Sequence, residues 1–367
     1  MVTPFYYPPI GGAEISAENL AIQLNAKNVV TDVMTFNVDP RWKLFSKTKI
    51  HGINVIGIPA LDIRPLKIPE LMFQIQFFKR RGIDFPDPKF AATSFNEIDL
   101  SFPVFSYRVS KPKIFHCRCF PGMFHLYKRN PLSQHLFRDS ADLYIVISEN
   151  LVKYLVDLRI SKEKIRVIPN GIDVKKFHPS GEKAENMLLF VGRFEPIKGL
   201  HVLLQALKYL TTPVQLVIIG APSWNRPYSE KMLDLIKKTG EKTVHKMIYL
   251  GQLKRERIIK WYQKASIHVR PDTMGMAGGN TAVEAMACGT PVIGTGNHVV
   301  KDGINGILVP PNNAIRLTKE IEFLINNRSI RQKLGRESRK FVVENFSFEV
   351  IIQKIIQVYK EMLEARK

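Results

Sequence analysis

The chain of 367 residues has only three cysteines, Cys117, Cys119 and Cys288, too few for a disulfide framework. Cys117-Arg-Cys119 has the wrong spacing for a zinc knuckle and lacks a companion pair, so reduced thiols are expected. No apolar run approaches the roughly 20 residues of a membrane-spanning helix. The start, MVTPFYYPPIGG, carries no basic stretch ahead of an apolar core, and no secretory leader is expected from it. An intact GxGxxG is missing, and Gly294-Thr-Gly296 is too weak a match for a dinucleotide site. GxxxxGK(S/T) and GxSxG are missing as well, which removes P-loop chemistry and a serine nucleophile of the hydrolase kind. No His/Glu cluster has the spacing of a metal site.

Acidic charge is also scarce: 33 Asp+Glu face 54 Lys+Arg, formally +21. Such a field attracts nucleic acid, acidic membrane surfaces or phosphate-rich small molecules. With no zinc finger, aromatic RNA-binding strand or basic-leucine segment, no nucleic-acid partner is expected. Length and an apolar content of 45% suit two domains rather than one core.

Met1–Phe5 reads as the tail of a strand entering a Pro-Pro-Ile-Gly-Gly loop, with a helix after it. A buried strand normally runs about 5–6 residues, so either this strand is short or residue 1 is internal to a longer chain. Strands are expected at 29–36, 53–58, 98–104, 113–117, 142–148 and 165–169, with a helix from Glu149. The segment Pro65–Arg81 reads as a partly exposed helix with a basic end, either a core helix or one that seeks acidic lipid. The stretch Gly82–Ser94 reads as loop, and the polar run Ser180–Asn186 as an interdomain linker. From Met187, short apolar strands alternate with helices at 200–210, 229–239 and 255–265, and further helices start at Ile315 and Phe348. That rhythm predicts a parallel sheet with helices on both faces and ligands at the carboxyl ends of the strands.

Two stretches carry chemistry. In Arg270–Val300, Gly278, Gly279 and Asn280 lead into a short helix, expected over 281–288, and leave backbone N–H groups bare where an anion such as a diphosphate can sit. Glu284 is the only acidic side chain of that helix and can accept two hydroxyl hydrogen bonds from a ribose. The plainer alternative is an exposed glutamate favoured by the helix dipole. In Gly192–Gly199, GRFEPIKG, Arg193 offers a forked contact and Lys198 a point charge to one diphosphate. The alternative there is a solvated basic loop.

YPPIGGAE near the start, IPNGIDVKKFHP at mid-chain, GRFEPIKG, and AVEAMACGTPVIG followed by DGINGILVPP resemble the retaining nucleotide-sugar glycosyltransferases of the GT-B fold. The group in question, glycosyl transferases group 1, holds glycogen-synthase-like, α-mannosyl- and α-glucosyltransferases. The resemblance spans nearly the whole chain and is looser between Asp62 and Lys111. It implies an α/β protein of two Rossmann-like domains whose parallel sheets face a cleft. The domains would be 1–173 for the acceptor and 174–345 for the nucleotide sugar, with a helix over 346–367 crossing back to the first. By resemblance Gly11, Gly12, Arg193 and Lys198 contact the diphosphate, Glu284 the ribose, and His116 the donor sugar as the catalytic-site histidine. His125 is a rival to His116, and a core histidine is the alternative role. The loop Asn170–Asp173 matches a hinge. The family works without metal or cofactor, because its positive groups stabilise the leaving diphosphate.

The pattern also breaks. The family pairs two glutamates at fixed spacing, and counting back from Glu284 lands on Met276; Asp272 is the nearest upstream acid. His298 and the stretch Asp99–Pro103 depart as well. The expected protein is a metal-independent hexosyltransferase using a UDP- or GDP-sugar and a saccharide or lipid-linked acceptor. It would be cytoplasmic and peripheral at the inner face of the membrane. A donor-binding subunit with little turnover, and a related epimerase or hydrolase, are the alternatives.

Overall fold

The computed structural model describes residues 1–5, 12–37, 47–57, 93–96, 112–118, 131–223, 225–274, 279–296 and 299–365. The chain divides into a first unit, Met1–Gly171 with Glu349–Lys367, and a second, Ile172–Phe348.

In the first unit the strands are β1 (Val2–Phe5), β2 (Val33–Asn37), β3 (Lys47–Ile50), β4 (Ile53–Gly57), β5 (Thr93–Asn96), β6 (Lys113–Cys117), β7 (Leu143–Val146) and β8 (Ile165–Val167). Their order is β3-β4-β2-β1-β5-β6-β7-β8. Every pairing is parallel except the β3–β4 hairpin. That hairpin turns through His51 and Gly52, both at positive φ (49° and 80°), as a tight two-residue turn requires. The helices are α1 (Gly12–Ala26), α2 (Pro131–Arg138) and α3 (Glu149–Asp157).

In the second unit the elements run β9 (Met187–Val191), α4 (Leu200–Leu207), β10 (Gln215–Ile219), α5 (Arg226–Lys242), β11 (Lys246–Tyr249), α6 (Arg255–Lys264) and β12 (Ile267–Arg270). They continue with α7 (Asn280–Ala287), β13 (Val292–Gly294), β14 (Gly306–Leu308), α8 (Ala314–Asn326) and α9 (Arg328–Phe346). The sheet order is β11-β10-β9-β12-β13-β14, wholly parallel. Its strands are apolar on both faces for a physical reason: Leu188, Phe190, Leu216 and Ile218 join one core with α4, α5 and α8. Met187, Leu189, Val217 and Ile219 join the other with α6, α7 and α9. Strand order reverses between β9 and β12, which is where a doubly wound sheet opens a crevice at its carboxyl edge.

After α9 the chain returns to the first unit as α10 (Phe348–Glu364). Ile351, Ile352, Ile355, Val358 and Met362 recur at helical spacing and pack on Leu20, Leu24, Ile114, Ile145 and Ile168. Each such side chain contributes about 1.5–3 kcal/mol on burial. The exposed Lys27–Glu349 pair at 3.7 Å contributes under ~1 kcal/mol, so the apolar face holds the helix.

Several expectations need correcting. The polar run 180–186 is no linker: it belongs to the second unit. There Ala184 N–H donates to Lys264 O (2.7 Å) and Lys183 is partly buried. The stretch read as loop to Ser94 ends in strand β5, and β3 and α9 were not anticipated. The strand expected from Val29 begins only at Val33, and the helix expected over 281–288 spans Asn280–Ala287. The expectations for Pro65–Arg81 and Ile98–Val104 lie outside the described residues.

Candidate functional site

The crevice between β9 and β12 is walled by the loops that leave those strands. The first, Gly192–Gly199, closes with a 3₁₀ turn at Pro196–Lys198 and enters α4 through Gly199 at φ +70°. A Cβ on Gly199 would stand 1.8 Å from the Pro271 carbonyl oxygen, so only glycine lets this loop lie against the end of β12. Thr273 N–H completes the contact by donating to Ile197 O at 3.0 Å.

This packing brings Arg193 and Lys198 to the crevice beside Arg270, Asp272 and Glu195. Arg193 is two-thirds exposed and pairs with Glu195 at 3.2 Å. Lys198 is different. Burial first, and Arg270 second, lower its pKa against the pull of Asp272 and Glu195. Its charge is costly as it stands, and an anionic ligand would relieve that cost.

At the end of β12, Arg270 is buried and pairs through Nε with Asp272 at 2.7 Å. Its Nη1 donates to Gly279 O at 3.0 Å. A Cβ on Gly279 would fall 2.7–2.9 Å from the guanidinium, which explains glycine at that place. Neither carboxylate oxygen of Asp272 is hydrogen-bonded, so the ion pair alone holds it. Gly279 is the N-cap of α7 and gives no side-chain cap to its first amides.

At the other end of α7, Lys183 Nζ donates to Cys288 O (2.9 Å), Tyr262 O (3.1 Å) and Thr290 Oγ1 (2.5 Å). Arg339 Nη1 donates to Ala287 O at 2.9 Å. Cations thus occupy the negative end of the dipole, each worth roughly 0.3–1 kcal/mol. Burial lowers Lys183 from 10.5 to about 8, only partly opposed by Cys288.

Glu284 lies one turn into α7 and is buried. Arg255 Nη2 donates to its Oε1 at 2.7 Å and Tyr262 Oη to its Oε2 at 2.9 Å. It is therefore not the exposed glutamate of the plainer reading.

Among the expected site residues, Arg193, Lys198, Gly279, Asn280 and Glu284 come together around this crevice of the second unit. Gly11, Gly278, Met276, His298 and His125 lie outside the described residues. Gly12 opens α1 of the first unit. His116, also in the first unit, is buried in β6 with Arg118 Nη2 3.4 Å from Nδ1 and Tyr359 Oη 3.4 Å from Nε2. Burial, then Arg118, then the chain's amino terminus hold its pKa well below 6.5, so the ring is neutral. Arg118 in turn donates to Asn170 Oδ1 at 2.8 Å.

Sequence reasoning missed Arg270, Arg255 and Tyr262. A basic residue closing the short strand IHVR was a usable signal for Arg270. No local pattern marks the other two, which reach Glu284 only through the tertiary fold.

Comparison with known proteins identifies the family and the fold. Residues 173–341 match the family model Glycosyl transferases group 1, and residues 10–176 match Glycosyltransferase Family 4. An uncharacterized glycosyltransferase of Methanocaldococcus jannaschii is 25% identical over 98% of this chain and 96% of its own length. Sucrose-phosphate synthase from Thermosynechococcus elongatus shares the fold with a TM-score of 0.79 at 23% identity, covering 97% of this chain and 94% of that one. Anabaena HepE, solved with UDP-glucose, does so with a TM-score of 0.78 at 18% identity, covering 98% of this chain and 99% of that one.

Proposed function

Starting from a chain that is a glycosyltransferase of the GT-B fold, with a Family 4 half and a group 1 half, we propose that it moves a hexose from a UDP- or GDP-sugar to a saccharide or lipid-linked acceptor, with retention and without metal. The observation that carries this reading is the crevice at the switch point of the second sheet. It combines a basic loop, a helix start with glycine at its N-cap and a buried carboxylate.

A nucleoside diphosphate fits these three features in order. Lys198 and Arg193 meet its phosphates, the first amides of α7 add fixed dipoles, and Glu284 takes the ribose hydroxyls. As the bond from sugar to diphosphate breaks, negative charge grows on the leaving oxygen. Groups already in place stabilise it without reorganisation. The UDP-glucose held by the Anabaena structure supports a nucleotide-sugar donor here. Asp272 is committed to Arg270 and so does not stand in for the family's first glutamate.

The surplus of basic charge supports work at an acidic, cytoplasmic membrane face. Among the described residues no helix is long and apolar enough to cross a membrane. Co-sedimentation with acidic vesicles that weakens with salt is the expected result; binding indifferent to salt, or none, counts against that location.

The deciding experiment offers labelled UDP- and GDP-sugars with saccharide and lipid acceptors in the presence of a chelator. Transfer with retained anomeric configuration is expected. Nucleotide binding without any transfer would sink the transferase reading of this chain and favour a donor-binding subunit, the role suggested by Met276.

A further inference from the structure

Glu284 takes its two donors from one neighbouring helix. Arg255 and Tyr262 stand about two turns apart on α6 and so on one face, and each serves a different oxygen of the carboxylate. A carboxylate has about four lone-pair sites, two on each oxygen. One site per oxygen is taken, and one per oxygen remains. That is the complement of a vicinal diol, whose two hydroxyls donate one hydrogen each.

The donors are themselves held. The Tyr262 ring is fully buried, edge-on to His268 at 5.7 Å and tilted against Phe177 at 6.3 Å. His268 faces Leu189 O through Nδ1 at 3.0 Å, which pins that ring to the sheet. The Arg255 guanidinium lies 5.1 Å from the centre of the Phe177 ring. Burial, and then the neighbouring Glu284 charge, keep the Tyr262 phenol well above 10, so its hydroxyl stays a donor.

We propose that Arg255 and Tyr262 are positioning residues for the nucleoside: they fix Glu284 so that a ribose 2′,3′-diol meets one free acceptor on each carboxylate oxygen. They thereby set the preference for ribonucleotides over deoxynucleotides. The proposal rests on Glu284 as the ribose-binding residue. An ordered carboxylate costs less side-chain entropy when the ligand binds, which is where the gain in affinity arises.

The test uses the full chain and calorimetric titration with UDP or GDP, whichever binds more tightly, and with its 2′,3′-dideoxy analogue. The wild type prefers the ribonucleotide, and Glu284→Gln loses that preference. Tyr262→Phe and Arg255→Met each weaken ribonucleotide binding about tenfold, the effect of one charge-assisted hydrogen bond, and leave the dideoxy analogue within about twofold. Arg255 is partly exposed, so its variant tests the idea even if Tyr262→Phe folds poorly. Equal loss for both ligands, or a preference that survives in both variants while Glu284→Gln removes it, overturns the positioning role and leaves Glu284 standing. A preference that survives Glu284→Gln, or is missing in the wild type, overturns the ribose reading itself.

Discussion

Two carboxylates border the same crevice, each 2.7 Å from an arginine, and their surroundings make them different devices. Asp272 and Arg270 are both sealed from solvent, and the Asp272 carboxylate has no partner besides its ion pair. Arg270 spends its other contacts holding the Gly279 carbonyl at the start of α7. Glu284 and Arg255 keep partial access, 10% and 28% of their side-chain surfaces, and Tyr262 shares the load. The first pair is a strut and the second a receptor. An ion pair shut in on both sides serves the fold; one whose arginine reaches solvent and whose carboxylate keeps lone pairs serves a ligand.

The largest expected effect strikes the strut. Arg270→Met leaves Asp272 buried without a countercharge and should cost about 3–5 kcal/mol. Chemical unfolding measures it. Arg255→Met should cost less in the same assay, since Glu284 keeps the Tyr262 hydrogen bond; equal losses would erase the distinction. Gly199→Ala comes next, at about 1–3 kcal/mol, because alanine must adopt φ +70° and meet the Pro271 carbonyl. Lys198→Met tests the ligand side: nucleoside diphosphate binding should fall roughly 10–100-fold, with nucleoside binding unchanged. A similar loss for the bare nucleoside would move Lys198 away from the phosphates.

The smallest effect concerns pH. Lys183 titrates near 8 in the folded chain against 10.5 when unfolded, so the unfolded chain binds more protons between those values. Its contribution to stability therefore rises with pH from 8 to 10.5, and is fully lost below 8. Melting temperatures across that window should climb less in Lys183→Met than in the wild type.

Much of the second unit was legible in advance. MLLFV and the LVII of QLVII are short apolar runs, and the structure places strands over those residues, because strands buried on both faces need no alternation. The first unit was harder. Strand β3 reads KTKI, polar at three of its four positions as suits an exposed edge, and resembles loop in composition. Helix α9 begins RSIRQKLGRESRK, whose charge hides the buried Leu334, Gly335 and Ser338. The run around Lys183 reads as linker because its lysine is satisfied by carbonyls and a hydroxyl distant in sequence.

What the sequence determined by itself is the local grammar. Glycines stand where loops approach backbone, an acid stands one turn into a helix, and two basic residues stand on one short loop; all of these depend on spacing along the chain. Only the tertiary structure decided which charges are free to act. Arg270 neutralises Asp272, Arg255 and Tyr262 claim half of Glu284, and Lys183 and Arg339 fill the far end of α7. Each partnership joins residues from separate elements, and the strength of a buried charge depends on the partners that packing brings to it.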